Sequence, residues 1–318
     1  MHSSVSLVLP LHLAADSWRI ELSELHFVET PHLRVGYEDW NPNGERVVVL
    51  WHGWPDSIRT WRQVAPVLAQ AGYRVLVPAL RGFLPTQFLS DQQPRTGQLA
   101  AIGRDVVEFV KAMGLERPAL VGHDWGARAV ANAFGLQEDV GSSMVMLSTG
   151  YGTNDPNQQL DMEQTQRYWY HWFMATPRGQ ATVAAQRRAF AKQMWDSWSP
   201  RGWYSPAEFD ATAEAWENND WVPVTLHSYQ HRWGHAASDP AYHEDEQTLA
   251  TLARIHVPAL ILVGDADGVS GLASSEGKAA FFTRQYERHI LPGVGHFPQR
   301  EAPALVARHL LAFWDACN

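Results

Sequence analysis

Apolar and polar positions follow two different rhythms along this chain. In the first half, short apolar runs alternate with amphipathic stretches. Arg46–Trp51 and Arg74–Leu80 read as buried strands, and so do Pro118–Gly122 and Ser143–Leu147. Between them, Gln98–Met113 repeats at helical spacing, with Leu99, Ile102, Val106, Phe109 and Val110 on one face. Trp125–Phe134 reads as a second helix. From about Tyr151 to Thr248 the buried-strand pattern stops. Polar, aromatic, helix-like runs replace it, among them Gln166–Met174, Gln180–Trp195 and Pro206–Trp216. Strands return at Pro258–Val263 and Glu287–Leu291, and a helix over Ala302–Ala316 follows. Strands alternating with helices predict a parallel sheet covered on both faces. The expected architecture is an α/β doubly wound core, residues 1–149 and 249–318, interrupted by a helical cap over 150–248.

Composition narrows the partners. The chain has 318 residues and a net charge of −9, which argues against nucleic acid or an anionic membrane. A small apolar or weakly polar substrate fits better, with the protein a monomer or homodimer. Cys317 is the one cysteine, so no disulfide framework or cysteine metal site is expected and a reducing cytoplasm is the default. The apolar stretch Val5–Leu13 is interrupted by Pro10 and His12 and preceded by no lysine or arginine, a poor signal peptide. No run approaches the ~18 apolar residues of a membrane span. Eight of the 15 tryptophans lie between Gly150 and Asp239. They predict aromatic packing of the cap, an aromatic roof over an apolar pocket, or both.

The chemistry gathers where strands end. Gly122-His123-Asp124-Trp125-Gly126 follows a strand and opens a helix, with the spacing of a nucleophile elbow. The central residue is an aspartate. A carboxylate needs no proton removed before attacking a saturated carbon, and the ester it forms can be hydrolysed, whereas a serine would leave an ether. The competing role for Asp124 is to cap the helix that starts at Trp125. His52-Gly53-Trp54-Pro55 also follows a strand and suits an oxyanion loop, with the Trp54 and Trp125 backbone N–H groups as donors worth roughly 3–4 kcal/mol each. His296, in the Gly-rich loop after the last strand, is the expected general base. Asp267, in Gly264-Asp265-Ala266-Asp267, is expected to orient it, and Asp265 is expected to serve the turn. His123 and His227 are given structural or minor roles.

Taken in order, His52-Gly-Trp-Pro55, Gly122-His-Asp-Trp-Gly126, Gly264-x-x-Asp267 and Gly295-His296 resemble the α/β-hydrolase epoxide hydrolases and haloalkane dehalogenases. The resemblance spans nearly the whole chain and is closer to the epoxide hydrolases. It implies the α/β-hydrolase fold, a mostly parallel sheet with an inserted helical cap, and a commonly cis Trp54–Pro55 bond. It implies neither cofactor nor metal. In epoxide hydrolases, one or two cap tyrosines protonate the opening oxygen. The segment Tyr170-His-Trp-Phe-Met-Ala-Thr-Pro177 is similar to the first of their tyrosine segments, with Tyr168 a rival in a shifted register. His227-Ser-Tyr229-Gln-His-Arg232 is similar to the second, but lacks the usual Tyr-Arg pair.

The resemblance therefore implies a hydrolase that opens epoxides to vicinal diols. Asp124 forms the ester, His296 with Asp267 hydrolyses it, and Tyr170 and Tyr229 donate protons. His52, Pro55, His171, Trp172 and Phe297 are the expected substrate-binding residues. The alternative is a haloalkane or haloacid dehalogenase using the same triad. Trp125 would offer its indole N–H to halide, Arg128 would bind a substrate carboxylate, and His171-Trp172-Phe173 is similar to a fluoride-binding stretch. Against that stand Leu147-Ser148-Thr149, where fluoroacetate dehalogenases carry their acid, and Trp125 and Trp54, where dehalogenases carry arginine and asparagine. A third possibility is a non-catalytic ligand-binding protein of the same fold.

Overall fold

The computed structural model describes residues 24–152 and 159–317. Val5–Leu13, the rest of residues 1–23, residues 153–158 and Asn318 lie outside them. The described chain opens on β1 (Leu25–Glu29) and β2 (Leu33–Trp40). The expected core follows as β3 (Arg46–Trp51), α1 (Ala65–Gln70), β4 (Tyr73–Pro78), a short β5 (Gln87–Phe88), α2 (Leu99–Ala112), β6 (Ala119–His123), α3 (Trp125–Leu136) and β7 (Ser143–Leu147). Seven helices come next: α4 (Met162–Arg167), α5 (Trp169–Ala175), α6 (Pro177–Ala185), α7 (Arg187–Trp198), α8 (Pro206–Ala213), α9 (Trp221–Arg232) and α10 (His243–Leu249). The core resumes with β8 (Ala259–Gly264), β9 (Tyr286–Leu291), α11 (Pro298–Glu301) and α12 (Pro303–Cys317).

All nine strands form one sheet, in the order β1-β2-β4-β3-β6-β7-β8-β9, with β5 beside β2. From β4 to β9 every pairing is parallel. β2 runs antiparallel to β1, β4 and β5. This antiparallel edge was not anticipated from the sequence. β1 alternates half-buried with exposed positions, so it carries no continuous apolar run to mark it.

Strand geometry builds the two faces of the core. Successive side chains point to opposite sides of the sheet. Val48 and Leu50 pack with α1 and α12, around Leu68, Leu310 and Trp314. Val49 and Trp51 pack on the other face, with Phe109 of α2 and Val130 of α3. Each central strand is buried on both sides, which explains why those segments read as unbroken apolar runs.

The inserted helices are shorter than their sequence patterns suggested. The run Gln166–Met174 is divided at Tyr168, and Gln180–Trp195 at Gln186, where the backbone leaves the helical region. Side chains of Asp161, Thr176 and Ser205 cap α4, α6 and α8 by accepting from backbone N–H groups. Buried and half-buried ion pairs clamp this layer to the core. Arg300 of α11 bridges Asp56 of the core to Glu208 of α8, and Arg81 binds Asp105 at 2.6 Å and the Tyr242 hydroxyl at 3.0 Å. Arg104 of α2 pairs with Asp245 of α10. Among the described residues, no helix is long and apolar enough to cross a membrane.

Candidate active site

The parallel strands β3, β6, β8 and β9 end on the same edge of the sheet. Loops leaving that edge converge, as expected where a wound sheet reverses direction. β3 delivers His52–Pro55, β6 delivers Asp124, β8 delivers Asp267 and β9 delivers the His296 loop. Residues far apart in the chain are thus neighbours because their strands are neighbours.

Asp124 occupies the turn between β6 and α3 with φ 49° and ψ −109°, a region that costs a non-glycine residue about 1–3 kcal/mol. The turn is that tight because its flanking residues touch. A Cβ on Gly122 would lie 2.1 Å from the Gly126 carbonyl oxygen, and one on Gly126 would lie 2.5 Å from that of Trp51. Only glycine fits at either place. The Asp124 side chain makes no capping hydrogen bond to α3, so the capping role falls away. Instead its Oδ1 accepts from the Trp54 backbone N–H at 2.9 Å, and its Oδ2 lies 3.7 Å from His296 Nε2. The Trp54–Pro55 bond is cis.

His296 is fully buried, and its Nδ1 donates to Asp267 Oδ2 at 2.9 Å. That bond places the other ring nitrogen, Nε2, toward Asp124. Asp267 is itself fixed, since its Oδ1 accepts from the Val269 and Ser270 N–H groups at 2.7 and 3.0 Å. Burial works against a charged His296, but the charges of Asp267 and Asp124 outweigh it and raise its pKa above the ordinary histidine value. Asp265 accepts from Gly293 N–H at the rim of the turn.

Both tyrosines reach this site. Tyr170 and Tyr229 are buried, with ring centroids 5.3 Å apart and nearly perpendicular. Tyr170 stacks on Trp54 at 5.8 Å, and Tyr229 meets the same ring edge-on at 5.1 Å. The Tyr229 hydroxyl accepts from the Trp125 indole N–H at 3.1 Å, so that N–H already has a partner. Burial pushes both phenols well above their usual pKa. The Asp124 charge adds to that rise in both, which marks them as its neighbours. Tyr168 packs instead on His171 and Trp233.

The remaining expected residues divide. Phe297 is fully buried behind His296, stacked on Trp203 at 4.6 Å. Pro55 accepts from the Trp195 indole through its carbonyl at 2.8 Å. His52 is held by backbone on both ring nitrogens, Nδ1 with the Gly53 carbonyl and Nε2 with the Leu80 N–H. Burial drives its pKa down to about 4, and no polar atom of it is left for a substrate. Trp172 turns away from the carboxylate: its indole N–H donates to the Thr165 carbonyl and its ring packs on Trp233. His171 does face the site, 4.6 Å from the Tyr229 ring. His123 holds the His296 carbonyl at 2.7 Å through Nε2, and burial lowers its pKa to about 4.

Three supporting residues were missed in the sequence. The Trp198 carbonyl accepts from Gly268 and His296 N–H groups, and its ring meets the His296 ring at 5.0 Å. The Ser199 hydroxyl accepts from His296 N–H at 2.9 Å. Glu301 accepts from the N–H groups of Gly295 and Phe297. No local spacing announces them, because they lie on other elements. The tryptophan surplus also gains a reason. Trp195 and Trp216 donate their indole N–H groups to the carbonyls of Pro55 and Asp56, tying the inserted helices to the loop after β3. Their rings close the apolar roof. Among the described residues, no group of three His, Cys, Asp or Glu side chains is arranged to hold a metal ion.

A wound sheet with this elbow, histidine and acid defines a class of protein. Residues 46–303 match the alpha/beta hydrolase fold family, and the chain belongs to it. It is a hydrolase, and its relatives point to one branch of that family. It is 28% identical over 313 residues to epoxide hydrolase A of Mycobacterium tuberculosis, covering 90% of this chain and 95% of that one. It is 26% identical to an epoxide hydrolase of Caballeronia sordidicola, covering 84% and 86%. Among solved structures, a Klebsiella pneumoniae protein provisionally named an epoxide hydrolase superposes with a TM-score of 0.85 at 36% identity, covering 91% of this chain and 97% of that one.

Proposed function

We propose that this hydrolase opens epoxides to vicinal diols through an ester on Asp124. The observation that carries the reading is the pair of buried phenols, Tyr170 and Tyr229, set against the nucleophilic carboxylate and held in their protonated form. An opening epoxide leaves an alkoxide, which needs a proton. A departing halide does not. The Trp125 indole, the donor a halide would require, is engaged by Tyr229.

In this reading Asp124 Oδ2 attacks an epoxide carbon, the carbon–oxygen bond of the ring breaks, and a tyrosine hydroxyl protonates the oxygen. His296 Nε2 then takes a proton from water, whose oxygen adds to the Asp124 carbonyl carbon. Negative charge develops on Oδ1, where the Trp54 N–H already donates and the Trp125 N–H is the second donor. Collapse expels the diol oxygen, which takes the proton from His296. The proton of the regenerated Asp124 acid returns to the tyrosinate. Residues 150–248 act as the cap that carries both donors. The single thiol, Cys317, is free, which suits the cytoplasm. Side-by-side turnover of styrene oxide and 1-bromobutane tests the reading. Diol release from the first is expected, and bromide release with no diol would replace it with dehalogenation.

A further inference from the structure

Arg232 is an anomaly in the roof of this site. It lies one turn after Tyr229 on α9, is only 8% exposed, and stands with Cζ 5.0 Å from the Tyr229 ring centroid. Its buried Nε and Nη2 make no hydrogen bond, and among the described residues no carboxylate pairs with it. A guanidinium keeps its charge even when buried. Leaving such a charge unpaired away from water is strongly unfavourable.

A second donor without a partner stands nearby. The Trp233 indole N–H donates to His171 Nδ1 at 3.0 Å, and an indole can only donate. The proton of His171 is therefore on Nε2, which is buried and makes no hydrogen bond. Burial, then the charges of Arg232 and Arg128, push the His171 pKa far down, so it is a neutral donor. Arg128 lies one turn beyond Asp124 on α3 and acts electrostatically on Arg232 as well. The unpartnered groups of Arg232 and His171 are all donors, next to a second positive charge. Their shared complement is an anion.

We infer that Arg232, assisted by His171, binds a carboxylate of the substrate, so that the molecule this site accepts is an epoxide bearing a carboxylic acid. The shape of the donor set selects that anion. Nε and Nη2 form one edge of the guanidinium, whose two parallel N–H groups match the two oxygens of a carboxylate. The reaction cycle reinforces the match. In the resting enzyme the Asp124 charge partly balances Arg232. Alkylation turns Asp124 into a neutral ester, and an acidic substrate keeps a negative charge beside Arg232 while water attacks. Aromatic rings take the rest of the molecule.

The inference rests on the epoxide reading for the reacting group, but its subsite can be tested apart from any chemistry. Oxirane-2-carboxylate and oxirane-2-carboxamide have nearly the same shape and differ in charge. The wild type should favour the carboxylate by about tenfold or more in kcat/KM, mostly through KM. Arg232→Gln should reduce that ratio by about tenfold, and Arg232→Lys should retain part of it. Calorimetric titration with cyclopropanecarboxylate and cyclopropanecarboxamide, which cannot react, reads the subsite directly. Selective binding of the acid that is lost in Arg232→Gln supports the subsite even when no epoxide is opened, and then only the epoxide reading falls. Equal binding of acid and amide by the wild type overturns the inference, and so does a preference unchanged by Arg232→Gln. Turnover of styrene oxide beside either result leaves the epoxide reading standing. Where circular dichroism shows Arg232→Gln unfolded, the wild-type comparison and Arg232→Lys decide.

Discussion

The two sides of the site are held by different forces. On the sheet side, backbone fixes nearly everything. Asp124 stands on a strained turn, Trp54 N–H meets its Oδ1, Asp267 is locked by two N–H groups, and His296 is held by Asp267 on its ring and by the Trp198 carbonyl and Ser199 hydroxyl on its N–H. On the helical side, rings fix rings. Tyr170 and Tyr229 are placed mainly by Trp54, His171 and each other, with one side-chain hydrogen bond from Trp125. Under the proposed mechanism, the difference follows from two tasks. Making and breaking an ester needs reacting atoms held to a fraction of an ångström. Choosing the substrate and leaving group needs a shaped, dry enclosure, which packed side chains supply and in which single residues can be exchanged.

If the sheet side carries the covalent chemistry, breaking it should be catastrophic, and breaking the helical side graded. Asp124→Ala should lower turnover by about ten-thousandfold or more. In the wild type, a single turnover in oxygen-18 water should place the label in the Asp124 carboxylate before any reaches the diol. Label entering the product directly would mean that water attacks the substrate and the division is misdrawn. His296→Gln should cost about a hundred- to ten-thousandfold, and only in the second half of the reaction. Intact mass should then show protein plus one substrate, located on the Asp124 peptide. A fully active variant would transfer the base role to another histidine.

On the helical side, Tyr170→Phe and Tyr229→Phe keep the rings and remove only the hydroxyls. Each should slow epoxide opening by about tenfold or more, about 1.4 kcal/mol, with no trapped ester. The double variant should lose nearly all activity and stay folded. Wild-type rates from it would reduce both tyrosines to packing residues.

The pH profile sharpens the contrast further. As the proposed base, His296 works only as neutral imidazole, and its raised pKa keeps it protonated to higher pH than an ordinary histidine. Ester hydrolysis should therefore fall as pH drops through a limb lying above about 6.5. Asp267→Asn removes the nearest charge that raises this pKa, so the limb of the residual activity should move to lower pH. A limb that stays in place would give the titration to another group.

The smallest effect belongs to the seam between the two sides. Glu108 on α2 lies among Asp105, Arg104 and Asp245 of that seam, and its buried Oε2 makes no hydrogen bond. Burial, then the Asp105 charge, raises its pKa to about 7. The folded protein thus holds this proton more tightly than the unfolded chain does, and stability is lost as pH rises through that value. Glu108→Gln should melt higher than wild type above about pH 7.5, by about 1–3 °C, and nearly equal to it near pH 5. Scanning calorimetry at the two pH values checks this, and a uniform shift at both would remove the titration as its cause.

Much of the sheet side was legible in the amino-acid order. Strand β7 begins and ends where its apolar run does, and the elbow, the His52–Pro55 loop and Asp267 lie at strand ends marked by their own glycines. These features are local. A tight turn, a buried strand and a loop leaving it are dictated by neighbours in sequence, so periodicity and glycine spacing reveal them. The grouping of Asp124, His296 and Asp267 followed from the parallel sheet that those strands imply. What tertiary structure alone decided is the set of contacts between distant segments. It turned Trp172 away and engaged His52 on both nitrogens. It brought Ser199 to His296, 97 residues along the chain, and left Arg232 without an acidic partner among the described residues. Helical periodicity says which face of a helix is buried. It does not say what that face meets, because the crossing of two helices and the rotamers between them are fixed by the packing of the whole molecule.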